Sequence, residues 1–513
     1  MDFFSSGFSC LLLVLLICVA ECRQVGVRVS DSVTTYEHMI DCCARGLQQI
    51  RSSDVTAITP PHINGEWMSS GCEVRPGPEF IIRRYKFHMD NSFMLHQFYY
   101  EDSSCTKPTH TLRVRGKISY TQDQYEITSP VPQGGTRPYY EIEKIVLVAY
   151  DTAKSLQLME GIHETCPGYF KENEPMKLFK RYVVFDWTQE DVIIICNDGL
   201  GYSVNELELL KQEVRRVHND VTKETTLRQE LFLGDIPTDR NDRMYYEPKA
   251  YQTPLIRYQV NETVSNQIHF ADDFHPPILK PEIHLPVKLE GEWVSLRCEV
   301  KGSFFTTRHV SYFANNTWSA NIKYFLEPDC RRPAYAITTR GTHSDGVRSS
   351  IVDGGTNIDI KTDQVLLKPL SVGSVQKLNT EGGCGKLGSW YIDVEQDVTY
   401  INGCKALGLI MSTVEYQLYR MHHNSAGKLL LYDGMLPTNG QLPDKPESRP
   451  TSYNNPLIHC AGSNPNLLEP PHSLNVVQNT PASHPPAGSS ATSHSLQQLL
   501  LLVTCLVFLN KLF

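Results

Sequence analysis

The chain lacks the short motifs that usually announce an enzyme. It has no GxSxG, no HExxH, no P-loop and no dinucleotide fingerprint, so neither catalysis nor phosphate binding is signalled. It has no block of Lys and Arg. With a net charge of -9 and a pI of about 6.1, nothing points to a nucleic-acid partner. It has no CxxC pair and no His cluster at metal spacing beside its cysteines, which argues against zinc. Neither of its terminal apolar runs reaches the ~20 residues of a comfortable membrane helix.

Its 513 residues allow roughly two to four domains. The run Leu11–Ala20, with small residues Cys18 and Ala20 at cleavage spacing, reads as a signal peptide over residues 1–20. Of 15 cysteines, Cys10 and Cys18 would leave with that peptide, and Cys505 sits in an apolar tail. The remaining even set, Cys22 to Cys460, behind a secretion signal reads as disulfides.

Comparing the chain with itself gives the strongest signal. GEWMSSGCEV from Gly65 recurs as GEWVSLRCEV from Gly291, aligning Trp67 with Trp293 and Cys72 with Cys298. The series continues in order: Arg83 with Arg308, Phe93 with Trp318, Cys105 with Cys330, Arg115-Gly116 with Arg340-Gly341. GGT recurs at Gly134 and Gly354, and YQTPLI from Tyr251 recurs as YNNPLI from Tyr453. This is a duplicated domain, not a short solenoid unit. The symmetry pairs Cys72 with Cys105, Cys166 with Cys196, Cys298 with Cys330 and Cys384 with Cys404. Cys22, Cys42, Cys43 and Cys460 are left open.

Period-two alternation dominates both copies and predicts strands. Tyr85 and Phe87 turn at Asp90-Asn91 into Phe93, Leu95 and Tyr99, a hairpin. Copy two repeats it with Val310 and Tyr312, a turn at Asn315-Asn316, then Trp318, Ala320, Ile322 and Tyr324. Further strands are expected over Leu112–Tyr120, Tyr140–Tyr150, Trp390–Val398 and Val414–Met421. Val204–Arg215 is read as a strand despite good helix formers, because its copy-two counterpart is strand-like. Thr226–Leu233 reads as a short helix.

The expected fold is all-β: two tandem homologous antiparallel β-barrel-like domains stapled by disulfides, since many strands in one unit must hide their edges. The expected organisation is a first domain over 42–258 (repeat core from 65), a linker over 259–290 and a second domain over 291–460. A disordered stalk over 461–495 and an apolar anchor or anchor signal over 496–513 follow. The core of that tail, Leu499–Leu509, suits a glycosylphosphatidylinositol signal with Gly488, Ser489 or Ser490 as attachment site; a type I span is the rival. Both place the protein on the extracellular face of the cell membrane. Sequons at Asn261 and Asn315 predict glycosylation.

No catalytic residue and no metal or cofactor ligand is nominated. Glu66 and Glu292 in the repeated GEW motif, and the GLG at Gly199, read better as structural turns. His62, His88, His110 and His309 have no carboxylate at telling spacing. A triad assembled in space remains an alternative, so an extracellular hydrolase or a plain lipid-binding protein stays open.

The GEW…CEV motif with RPGPEF running on from Arg75, LFLGDI from Leu231, the cysteine-proline pairs at Cys105 and Cys330 and the paired YxxPLI motifs carry a resemblance. The chain is similar to the adenomatosis polyposis coli down-regulated 1 family from about Cys42 to Cys460. That resemblance implies a membrane-anchored inhibitor of Wnt signalling upstream of β-catenin. Its implied partners are Wnt ligand and the lipoprotein-receptor-related co-receptor, with a homodimer left open. It also implies β-barrel domains with an apolar cavity for a fatty acyl group, and no cofactor. Tyr85, Phe87 and Phe93 in one copy, and Tyr312, Trp318 and Tyr324 in the other, would line such a cavity or fill a core. The chain lacks a cysteine pair that the family carries around Val260–His269 and a second cysteine beside Cys196, which implies one disulfide fewer.

Overall fold

The computed structural model describes residues 43, 46–47, 50, 55–120, 134–171, 174–188, 194–218, 225–301, 304–424 and 427–460. Both copies of the repeat belong to one compact unit, Met1–Pro471, and His472–Phe513 form a second unit. Gly488, Ser489, Ser490 and Leu499–Leu509, the expected attachment sites and apolar tail, lie outside the described residues. Among the described residues no helix is long and apolar enough to cross a membrane.

The first copy contributes β1 (Val55–Ile58), β2 (Gly65–Met68), β3 (Glu73–Arg75), β4 (Glu79–Phe87), β5 (Ser92–Tyr100) and β6 (Pro108–Ser119). It continues with β7 (Tyr139–Ala149), β8 (Tyr182–Asp186), β9 (Ile194–Ile195), β10 (Leu210–His218), β11 (Thr225–Leu233) and β12 (Leu255–Arg257). The second copy opens with β13 (Gly291–Ser295), β14 (Glu299–Lys301), β15 (Phe304–Tyr312), β16 (Thr317–Phe325), β17 (Pro333–His343) and β18 (Val347–Arg348). It ends with β19 (Thr356–Pro369), β20 (Gln396–Asp397), β21 (Gly403–Cys404), β22 (Leu409–Ile410), β23 (Val414–His423), β24 (Leu429–Asp433) and β25 (Leu457–His459). Helices α1 (Thr152–Thr165), α2 (Thr263–His269) and α3 (Val372–Thr380) lie among the described residues.

The described strands form two antiparallel, rolled sheets of twelve and eleven strands and a small two-stranded ribbon, β21–β22. The expectation of two β-barrel domains is corrected here. The first sheet is an open path from β1 through β10, β11, β12, β2, β4, β5, β6, β7 and β8 to β9. Where closure would need a ladder between the β7 side and β10, the described residues supply one bridge, Thr136 to Leu210. The equivalent stretch of the second copy, Thr356–Lys361, pairs β23 over six positions. The GGT alignment puts Pro138 where Ile358 stands, and proline has no N–H to donate to a ladder. In the second sheet β13 pairs with both β25 and β15, which rolls it tightly, and its path runs out at the short β14.

The hairpins form as the alternation predicts, with Phe87 opposite Phe93 and Tyr312 opposite Trp318. Asn91 and Asn316 take the left-handed conformation at the two turns, with φ of 64° and 59°. The repeated Arg-Gly marks a bulge: register shifts at Arg115/Gly116 and again at Arg340/Gly341. A side chain at Gly116 would lie 2.1 Å from the Glu141 carbonyl, and one at Gly341 would lie 1.8 Å from that of Lys361.

Three local readings change. Thr226–Leu233 belongs to β11, not a helix; its apolar residues Leu231 and Leu233 alternate into the core. Val204–Arg215 divides into a 3-10 turn over Asn205–Glu208 and the start of β10. Trp390–Val398 is mostly irregular, because Trp390 is drawn into the module core and donates its indole N–H to the Cys384 carbonyl at 2.9 Å. The reading also missed α1, whose Asp151 caps the Lys154 N–H at 2.7 Å and whose Leu158 and Ile162 enter the core.

Candidate functional site

Each module presents the inner face of its rolled sheet to an apolar interior. In the first, Tyr85 and Phe87 stack with ring centroids 5.5 Å apart, and Phe93 lies 6.0 Å from Phe87. All three are buried in one core cluster with Trp67, Leu112, Leu147 and Leu231. In the second, Tyr312 and Trp318 join one buried cluster, while Tyr324 stacks on Tyr335 at 4.6 Å in another. The Tyr312 and Tyr419 hydroxyls meet at 3.2 Å. Phe304 and Ile322 pack against the second of these clusters and keep partial solvent contact.

The repeated motif builds a buried polar device in both copies. Trp67 Nε1 donates to the Ile63 carbonyl, and Trp293 Nε1 to that of Leu289. The backbone N–H of Arg83 donates to Ser69 Oγ at 2.7 Å, and that of Arg308 to Ser295 Oγ at 2.8 Å. Each arginine then takes the glutamate of its CEV triplet: Arg83 to Glu73 at 2.6 Å, Arg308 to Glu299 at 3.0 Å. The second carboxylate differs. Arg83 reaches Glu206, on the 3-10 turn before β10, at 3.1 Å; Arg308 reaches Asp433, at the end of β24, at 2.8 Å.

Glu206 also accepts from Arg75 at 2.6 Å and from the Tyr85 hydroxyl at 2.7 Å. Burial pushes its carboxyl up, but the guanidinium groups of Arg75 and Arg83 outweigh that and hold it at about 2. On Arg83, burial opposes the charge, and Glu73 and Glu206 outweigh it, so it titrates above its usual range. These groups are paired and locked in opposite charge states. That arrangement serves structure, not proton transfer.

Glu66, Glu292, the GLG and the histidines, read in the sequence as structural, do not converge on one site. Glu66 pairs with His269 at 2.5 Å and Lys86 at 3.3 Å. Glu292 lies 3.7 Å from His309 and 3.0 Å from Cys43 Sγ. Cys43, Glu292 and His309 cluster as three metal-ligand types. However, Cys43 is bonded to Cys460, and a disulfide sulfur is no thiolate. The GLG forms a 3-10 turn, and Gly199 backs onto Gly161 of α1 too closely for a side chain on either. His110 stacks on Tyr99 at 4.2 Å.

One Ser-His-Asp set does assemble in space. Ser103 Oγ lies 3.3 Å from His284 Nε2 and donates to Asp353 Oδ2 at 2.9 Å. Asp353 approaches the same Nε2 at 3.8 Å. A nucleophilic triad needs the acid on Nδ1 and the serine proton on the histidine. Here the serine proton goes to the acid, so the set is a clasp between a loop of the first module, the linker and a turn of the second.

Cysteine pairs Cys72–Cys105, Cys166–Cys196, Cys298–Cys330 and Cys384–Cys404 are bonded, and Cys43–Cys460 adds a fifth bond spanning both modules. Asn261 and Asn315 are exposed. Asn315 Oδ1 accepts from the Thr317 hydroxyl at 2.6 Å.

A cleft of about 1450 Å³ lies between the modules. Its lining includes an ion network that the sequence reading did not nominate. Arg297 donates to Glu230 at 2.9 Å and lies over the Phe232 ring at 5.0 Å. Arg215 Nη1 donates to the Leu296 carbonyl at 3.2 Å. The signal was present in the repeat itself: Arg297 stands where the first copy has Gly71.

Among solved structures, a mutant of the vaccine antigen Transferrin Binding Protein B from Haemophilus parasuis Hp5 is 10% identical to this chain. The match covers 74% of this chain and 65% of that one, less than two thirds of its length, with a TM-score of 0.13. So slight a likeness carries no argument about fold or function. A protein-family profile described as Adenomatosis polyposis coli down-regulated 1 matches residues 42–280 and 282–487, one segment for each copy of the repeat. By that match over most of its length, the chain belongs to the adenomatosis polyposis coli down-regulated 1 family.

Proposed function

We propose that this protein is a non-enzymatic inhibitor of Wnt signalling at the cell surface, and that it captures the fatty acyl group of Wnt in the interior of at least one module. Family membership carries the pathway. The aromatic inner faces of both rolled sheets support the ligand class, with Phe304 and Ile322 of the second module keeping an approach from solvent. Burial of each CH₂ contributes roughly 0.8 kcal/mol, so about a dozen would contribute ~10 kcal/mol gross. Ordering and docking would offset part of that. The acyl chain then dominates affinity, and the protein surface supplies selectivity.

Capture makes and breaks no bond, so inhibition is stoichiometric. In a Wnt reporter assay, the ectodomain concentration giving half-inhibition should rise in proportion to the Wnt added. A half-inhibition point independent of Wnt would point instead to occupation of the co-receptor.

A further inference from the structure

The second module carries a lobe, residues 381–411, whose Cys384, Trp390, Val398 and Cys404 enter the module core while other apolar side chains of the lobe stay outside it. Cys384–Cys404 staples it, and Trp390 pins it from below. Asn379 holds the Trp390 backbone from both sides: its amide donates to the Trp390 carbonyl at 2.9 Å, and its carbonyl accepts the Trp390 N–H at 2.9 Å. Asp393 and Asn402 sit in the left-handed region, with φ of 63° and 55°. The lobe is therefore built in a fixed shape.

This fixed lobe turns apolar side chains outward. Tyr400 is 77% exposed, Tyr391 and Ile410 64%, and Leu387, Ile392 and Val394 are also exposed. A stapled lobe cannot fold them away by local collapse, and a concentration of exposed apolar residues within one lobe suits an interaction surface. Lys386 and Lys405 are exposed on the same lobe, together with Glu381, Asp393, Glu395 and Asp397.

We propose that this lobe rests in the interface of a lipid bilayer. Tyrosine with aliphatic neighbours is the composition that sits at the headgroup boundary, and lysine stems can lie along it with their charges in water. The chain beyond Cys460 supplies the reason for choosing a bilayer over another protein. It runs through residues 461–498 into Leu499–Leu509, the segment whose composition assigns it to membrane attachment. That connection reaches at most about 130 Å, so the lobe stays within range of the same membrane.

The test uses the secreted ectodomain ending at Pro471, which holds the whole compact unit and all five described disulfides. It is floated with phosphatidylcholine vesicles in the absence of any Wnt. Wild type should co-float. The double variant Tyr391→Asp, Ile392→Asp should lower the bound fraction about tenfold with an unchanged near-UV circular dichroism spectrum. Met89→Asp with Tyr245→Asp, exposed positions off the lobe, should leave binding intact. A wild type that stays with the soluble fraction overturns the proposal. So does equal flotation of the lobe variant, or equal loss in the off-lobe control.

Discussion

Arg297 of the second module reaches Glu230 of the first through both terminal nitrogens, at 2.9 Å and 3.3 Å. Burial opposes the charge on Arg297, but Glu230 and Glu213 outweigh it, so the guanidinium is held more firmly than usual. Burial likewise pushes Glu230 up, and Arg297 and Arg215 hold it at about 2. Arg297→Gly, restoring the residue of the first copy, should cost about 2–4 kcal/mol. Arg215 and Arg228 keep Glu230 from being stranded, which places the cost at the lower end of a broken buried pair. A double-mutant cycle with Glu230→Gln, read by urea unfolding, should show coupling above about 1 kcal/mol. Additivity would mean that the pair contributes nothing.

The bulge glycines should be equally intolerant in both copies. Gly116→Ala and Gly341→Ala each drive a methyl group into a backbone carbonyl of the neighbouring strand. Each should cost about 2–3 kcal/mol in denaturant unfolding. A change below about 0.5 kcal/mol in either would show that the bulge relaxes freely.

Acid should weaken the fold, beginning with the histidines. Burial holds His96, His110, His422 and His459 below their usual value; Lys154 and Arg240 add to the effect at His110. The native state then binds fewer protons than the unfolded chain once pH falls below about 6.5. Their contribution is complete above 6.5 and is lost as pH drops through the lowered native values. Glu299 and Glu415, raised by burial, work in the opposite direction nearer the carboxylate range. The urea midpoint should be lower at pH 5.5 than at pH 7.5, and His110→Gln should flatten the slope. A midpoint that rises on acidification contradicts this account.

Removing the module staple Cys298–Cys330, by serine at both positions, should cost about 2–4 kcal/mol and slow secretion. Non-reducing peptide mapping should recover it together with Cys43–Cys460. A free thiol at any of these four positions would contradict the bonding.

What could be read in advance followed from local chemistry used twice. The hairpins, the left-handed asparagines and the Arg-Gly bulge each leave the same residues at the same spacing in both copies, so comparison exposes them. Features built once were hidden. Glu206 meets Arg83 across 123 positions, and the second copy replaces it with Asp433 on a different element. Pro138 stands where the copy-two strand pairs β23 through Ile358, and the need to hide strand edges, from which closure was expected, does not reveal such a local break. Thr226–Leu233 has helix-forming Glu and Leu, but β10 offers it a full ladder and the core takes Leu231 and Leu233, and tertiary pairing overrides propensity. Cys43–Cys460 closes the chain over 417 positions and has no counterpart within either copy.

Acyl capture is tested most directly by the affinity of the purified ectodomain, ending at Pro471, for acylated Wnt and for a matched Wnt lacking the lipid. Capture in a module interior predicts that loss of the acyl chain weakens binding at least a hundredfold, since even a quarter of the gross burial is worth about 2.5–3 kcal/mol. Equal affinity for the two ligands would contradict it.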